Sequence, residues 1–228
     1  MNNWKSIWNK DTRVTNLVLE MLIKADGFDS ATGHFSVEDW TTYTNLLYKK
    51  IGIKKSDSIF DLGCGSGAFL YPLYLENQKV AGVDYSSILI DLANTIMTDG
   101  EFNNIEAIDI DVENKYDIVL SHSVFFYFKD LEYAKQVLLK MIQKSNKAVA
   151  ILDINDKIKE EKYHELRMKI MTKEEYEKKY EGLKHLFFSK DFFREIAKEN
   201  NLTIEIWNQD FENYNNSKFR FNVIMRKK

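Results

Sequence analysis

The chain has 228 residues, of which 44% are hydrophobic and 14% aromatic, and it carries a formal net charge of -3 with a pI of about 5.9. That is enough chain for one full core and too apolar for a disordered segment. No block of positive charge stands free of acids, so the electrostatic footprint of a nucleic-acid binder is missing. One cysteine, Cys64, cannot close an internal disulfide, and four scattered histidines give no zinc spacing. No apolar run reaches membrane-spanning length and no signal peptide opens the chain. The expectation is a cytoplasmic protein, monomer or homodimer, with a small-molecule partner and no metal, nucleic acid or membrane.

Trp4 and Trp8 sit four apart, and Val14, Leu17, Val18, Met21 and Leu22 continue a helical stripe. Residues 1–55 therefore read as an N-terminal helical cap. Within it, 25–35 is a loop with two glycines and aromatics, either a lid over a ligand or an ordinary connector. Ser36-x-x-Asp39 resembles a capping box and opens a helix with Trp40, Tyr43 and Leu47 on one side. From Ser58 onward, strand and helix alternate. Strands are expected to end near Leu62, Asp84 and Ile108, followed by strands over 116–121 and 148–152. Between them lie one helix with Ile88, Leu92, Ala93 and Ile96 on its apolar face, and another capped by Asp130. Near-continuous apolar strands alternating with helices indicate a parallel sheet covered on both faces. Residues 156–188 break the pattern as a Lys- and Glu-rich insertion of two helices, the second opened by Thr172-x-x-Glu175. A helix follows Ser189, and strand-like runs over 202–207 and 218–226 close the chain. The spacing thus predicts a single α/β domain: cap 1–55, core 56–155, insertion 156–188, and a last helix and strand pair over 189–228.

The most informative stretch is Asp61-Leu62-Gly63-Cys64-Gly65-Ser66-Gly67, between a buried strand and an apolar helix. A strand, a glycine turn and a helix N-terminus make a nucleotide-type site. Asp84 lies about 20 residues further on, where a ribose diol is gripped. Gly63-x-Gly65-x-x-Ala68 also satisfies the dinucleotide fingerprint. Asp61 separates the two readings, because a carboxylate repels a pyrophosphate and holds an ammonium.

The acid-x-Gly-x-Gly-x-Gly loop followed by Gly82-Val83-Asp84-Tyr85-Ser86 resembles the class I S-adenosylmethionine (SAM)-dependent methyltransferases. The resemblance implies a Rossmann-like, doubly wound sheet of seven mostly parallel strands with an antiparallel last strand. It implies SAM as cofactor and S-adenosylhomocysteine (SAH) as product. Asp61, Gly63, Gly65 and Gly67 would then serve the methionine part, Asp84 the ribose and Tyr85 the adenine. At the third strand end Asp109 would accept the adenine amino group and the Ile110 amide would meet a ring nitrogen, with Asp111 an off-by-one competitor. Tyr43 and Ser121 are further cofactor candidates, with core packing the alternative for Tyr43. His122, at the fourth strand end, is the candidate base or substrate contact, because histidine titrates near working pH, with a structural or cofactor-contacting His the alternative; as a true base it would give one ionisation near 6 in the rate. Tyr127, where many family members carry His, is the next catalytic candidate. Asp153 and Asn155 after strand five are expected to bind the acceptor. His164, Arg167 and His185 beside the insertion join them, as do Arg220 and Asn222 on one face of the last strand.

Three short stretches, at 27–30, 124–128 and 152–156, are similar to small methyltransferases of bacterial surface-polysaccharide biosynthesis. That similarity implies O-methylation of a sugar or phosphoryl-type group. N-methylation of a small amine is the enzymatic alternative, and a SAM-binding sensor or scaffold without turnover is the alternative of another class.

Overall fold

The computed structural model describes residues 12–28, 35–170 and 185–228. Helices α1 (Thr12–Ala25) and α2 (Val37–Ile51) precede β1 (Ile59–Leu62). They are followed by α3 (Tyr71–Leu75), β2 (Val80–Asp84), α4 (Ser87–Ile96), β3 (Glu101–Asn104) and β4 (Tyr116–His122). The chain continues through α5 (Leu131–Lys144), β5 (Ser145–Asn155), α6 (Glu160–Ile170), α7 (Lys190–Glu199), β6 (Thr203–Asn208) and β7 (Arg220–Arg226). The strands form one seven-stranded sheet in the order β3-β2-β1-β4-β5-β7-β6. Neighbours from β3 to β5 pair parallel, and β7 runs antiparallel to both β5 and β6. The doubly wound, Rossmann-like sheet expected from the sequence is present.

Alternation along the strands builds two cores. Ile59, Ile118, Leu120, Ala150 and Ile224 face the layer containing α1 to α4. Phe60, Leu62, Val119, Val149 and Val223 face α5 and α7. The helix starts are fixed by side-chain caps at the expected positions. Ser36 Oγ accepts from the Asp39 amide at 3.0 Å, Asp130 Oδ1 from Tyr133 at 2.7 Å and Ser189 Oγ from Phe192 at 3.2 Å. Caps of this kind contribute about 1 kcal/mol each. Helix α1 ends at Gly27 (φ 78°), whose amide, like that of Phe28, turns back onto the last helical carbonyls at 3.0 Å. Among the described residues no helix is long and apolar enough to cross a membrane.

Three boundaries differ from expectation. β3 ends at Asn104 rather than near Ile108, and residues 107–109 form a 3-10 turn. β3 is an edge strand with only Phe102 buried, while Ile105 and Ile108 pack onto the core from the connection, so their apolar signal lengthened the strand. β5 extends past 148–152 at both ends, and β7 starts only at Arg220 because 217–219 is a helical turn. Trp4, Trp8 and the Thr172-x-x-Glu175 box lie outside the described residues, as does most of the 25–35 loop.

Phe193 on α7 is fully buried and packs against the rings of Phe125, Phe188, Phe192 and Phe221, joining helix, sheet and the 125–127 turn. Phe193→Ala should lower unfolding free energy by about 3–5 kcal/mol, read as a lower urea midpoint at unchanged m-value.

Candidate functional site

β1 and β4 are neighbours whose onward connections run to opposite sides of the sheet, and the crevice beyond their carboxyl ends is where open α/β sheets bind ligands. The glycine turn sits at that point. Gly63, Gly65 and Gly67 all have positive φ, from 55° to 88°. A Cβ on Gly67 would meet only the flexible end of Met97, so it is the backbone, at φ 88°, that calls for glycine here. The turn is tied to β2 by Asp84, whose Oδ2 accepts from the Gly65 amide at 3.0 Å and Oδ1 from the Ser86 amide at 2.8 Å.

A second carboxylate reaches the turn from α1. Asp26 accepts from the Ser66 amide at 2.6 Å and from the Ala68 amide at 3.3 Å. Nothing in the sequence marked it: it stands in the 25–35 loop without a motif. The third carboxylate, Asp61, is fully buried, and its Oδ1 has no hydrogen-bond partner. Burial first, then the nearby Asp26 and Asp84, pushes the Asp61 carboxyl well above its usual range. Burial likewise raises Asp26 to about 7, against the pull of its amide donors. The same burial raises the Cys64 thiol, which excludes it as a reactive nucleophile. A buried carboxylate oxygen without a donor, flanked by two more carboxylates, fits a ligand that brings positive charge. Among the described residues no three His, Cys, Asp or Glu side chains are placed to hold a metal ion. The SAM ammonium fits this donor set, and its ribose diol fits Asp84.

Along the edge that the sequence assigns to the adenine, Tyr85 is 76% exposed, Ile110 is buried, and Asp109 lies in the 3-10 turn after β3. The Asp111 carboxylate accepts from the Glu113 and Asn114 amides at 2.9 and 3.1 Å, closing its own turn. Ser121 Oγ donates to the Leu62 carbonyl at 2.8 Å, joining β4 to β1 beneath the glycine turn.

The other half of the site lies beyond β4, β5 and β7. His122 is buried, with its ring stacked on Phe69 at 4.9 Å and its Nε2 3.0 Å from the Tyr43 hydroxyl. Burial lowers its pKa to about 4, so the ring is neutral at pH 7 and the ionisation expected near 6 is displaced downward. The Tyr43 hydroxyl also donates to Gln209 Oε1 at 3.1 Å. Asp153 accepts from Gln209 Nε2 at 2.9 Å, Ser123 Oγ at 2.8 Å and Tyr214 at 3.0 Å, and lies 3.6 Å from Arg220 Nε. Asn222 Oδ1 accepts from the Asp153 amide, and Arg220 donates to Asn155. Asp153 (φ 58°) and its partner Ser123 (φ 62°) are both left-handed, where β5 loses its register with β7. Such strain is held only where surroundings over-determine it, and it clusters at functional sites.

The structure therefore brings Tyr43, His122, Asp153, Asn155, Arg220 and Asn222 together, and adds Ser123, Gln209 and Tyr214. His185 joins through Phe126: Arg220 lies 4.3 Å over that ring and His185 packs its edge at 5.4 Å. Burial, then the Arg220, Arg167 and His164 charges, lowers His185 to about 4. His164 and Arg167 belong to a separate ring cluster around Tyr163, to whose hydroxyl Arg167 donates at 2.9 Å. Tyr127 is 67% exposed and packs beside His185.

The model of the methyltransferase domain family matches residues 53–218. The chain belongs to that family. Two curated relatives, both uncharacterized methyltransferases of Schizosaccharomyces pombe, are similar to it. C1B3.06c is 30% identical over 140 residues, 55% of this chain and 49% of that protein. C70.08c is 26% identical over 106 residues, 44% of this chain and 40% of that protein. The alignments thus span half or less of the relatives' length. Among solved structures, magnesium protoporphyrin IX methyltransferase from Synechocystis PCC 6803 with bound SAH aligns with a TM-score of 0.63 at 16% identity, covering 97% of this chain and 98% of that one. The plantazolicin methyltransferase BpumL, in complex with a pentazolic desmethylPZN analog and SAH, aligns with a TM-score of 0.64 at 17% identity, covering 96% and 98%. At such identities these structures establish the shared fold.

Two predictions follow from the acid cluster. A hydrogen bond to a charged group contributes about 1.5–3 kcal/mol, so Asp61→Asn and Asp84→Ala should each weaken SAH binding about ten- to a hundredfold in calorimetry. Asp26 titrates higher folded than unfolded, so the folded state holds the extra proton between its ordinary value of 3.8 and about 7. Its contribution to stability therefore falls as pH rises through that window and levels off above it. Asp26→Asn should remove this component, so the wild-type-minus-variant difference in denaturant midpoint should decline between about pH 4 and about pH 7.

Proposed function

We propose that this chain binds SAM along the carboxyl edge of its sheet and transfers the methyl group to a small polar acceptor held between His122 and the Asp153–Arg220 network. The observation that carries the reading is Asp61: a buried acid under a glycine turn whose Oδ1 has no donor among the described residues. Asp61 would hold the ammonium, Asp84 the ribose, Tyr85 the adenine face, and Asp109 with the Ile110 amide the adenine edge. Asp111 is already engaged in its own turn. SAM supplies a methyl group made electrophilic by its sulfonium. The protein's part is to align the acceptor, exclude water and take a proton where the acceptor has one. His122 is the group for that last step, since burial keeps its ring unprotonated at pH 7.

The narrower reading is O-methylation of a sugar or phosphoryl-type oxygen in surface-polysaccharide biosynthesis. What supports it is the resemblance of the three short stretches, together with the buried Asn222 Nδ2 and Arg220 Nε on β7, which have no hydrogen-bond partner among the described residues.

Labelled SAM, offered with a panel of sugars, sugar phosphates and amines and followed by mass spectrometry, tests the reading. Methylated sugar or sugar phosphate is expected. Methylation of amines alone would replace the acceptor class, and tight SAM binding without product from any acceptor would favour a sensor or scaffold. With an acceptor in hand, His122→Ala should lower kcat about a hundredfold. The wild-type rate should be flat from about pH 6 to about pH 8 and fall toward about 4, because only the neutral ring accepts a proton. Full activity of the variant would pass the catalytic role to Tyr127.

A further inference from the structure

A phenol hydroxyl carries one hydrogen, and Tyr43 has two neighbours for it. Its oxygen lies 3.0 Å from His122 Nε2 and 3.1 Å from Gln209 Oε1. The choice between them is made further along the chain of contacts. Turning the Gln209 amide over would leave its shape unchanged but place its oxygen against Asp153 Oδ1, which the nitrogen faces at 2.9 Å. A carboxylate only accepts, so oxygen against oxygen is excluded there. The other neighbours of Asp153 are donors as well: the hydroxyls of Ser123 and Tyr214 and the Arg220 guanidinium. The Gln209 nitrogen therefore faces Asp153, and its oxygen faces Tyr43. An amide oxygen also only accepts, so it takes the Tyr43 hydrogen. What Tyr43 offers to His122 is then a lone pair, and Nε2 must supply the hydrogen. Burial supports the two protonation states this requires, since it keeps the His122 ring neutral and the Tyr43 phenol un-ionised.

We propose that Asp153, acting through Gln209 and Tyr43, fixes His122 as its Nε2–H tautomer, with Nδ1 as the basic nitrogen. Asp153, Gln209 and Tyr43 are positioning residues on this account. Asp153 was expected from the sequence to bind the acceptor; here both of its oxygens are engaged within the protein. The catalytic consequence rests on His122 being the proton acceptor: the acceptor's proton would go to Nδ1, while Nε2–H stays bonded to Tyr43. The tautomer itself does not depend on that reading.

The test is long-range nitrogen–carbon NMR on 15N-histidine-labelled, SAH-loaded protein at about pH 7, where an unprotonated and a protonated ring nitrogen are well separated. His122 is assigned by its loss in His122→Gln. In the wild type Nε2 should appear protonated and Nδ1 unprotonated. In Gln209→Leu the acceptor left for the Tyr43 hydrogen among the described residues is His122, so the tautomer should reverse, with hydrogen on Nδ1. In Tyr43→Phe the ring should lose its fixed tautomer and show averaged signals. A wild-type ring protonated on Nδ1 would overturn the proposal, as would a Gln209→Leu ring that keeps its hydrogen on Nε2. Because the readout is a ring nitrogen and not turnover, a catalytically idle His122 would leave these results unchanged and would count against the base assignment alone.

Discussion

Three acidic side chains packed around one tight turn are the constraint on which the site depends. Asp26, Asp61 and Asp84 come from a helix end and two strands and converge on the same seven residues. Main-chain amides answer two of them: Gly65 in the turn and Ser86 after β2 for Asp84, Ser66 in the turn and Ala68 just after it for Asp26. The positive φ of the glycines helps turn the Gly65 and Ser66 amides outward. Asp61 Oδ1 has no such donor among the described residues. Burial and the two neighbouring acids hold Asp61 toward its neutral form, so a cationic group placed against it would favour its ionisation.

The acceptor half works with a different balance. There one carboxylate, Asp153, is surrounded by donors, and its left-handed backbone turns it away from the regular alternation of β5. The halves meet at His122. Its ring stacks on Phe69, which follows the glycine turn, while its Nε2 reaches Tyr43 and hence the Asp153 network. One side chain thus touches both the segment after the glycine turn and, through Tyr43, the network around Asp153.

Much of this was legible in the sequence because its signals are local. The glycine turn, the acid at the end of β2 and the caps at Ser36, Asp130 and Ser189 each declare themselves within a few residues. The end of β3 was misjudged because an edge strand with one buried side chain has little alternation to read. Asp26, Gln209 and Tyr214 were missed for another reason. Their roles come from pairings 40, 56 and 61 residues apart, made by ordinary residue types in connections without periodicity. Only the β5–β7–β6 arrangement places Gln209 and Tyr214 against Asp153.

That arrangement also orders events in time. β7 lies between β5 and β6, yet it is translated after both. Every group of the cofactor edge, from Asp26 to Ile110, precedes β5, whereas Gln209, Tyr214, Arg220 and Asn222 follow it. A domain generally folds as a unit. The strand that carries Asp153 therefore keeps one edge unpaired, and Asp153 lacks its Gln209, Tyr214 and Arg220 neighbours, until β7 has been made.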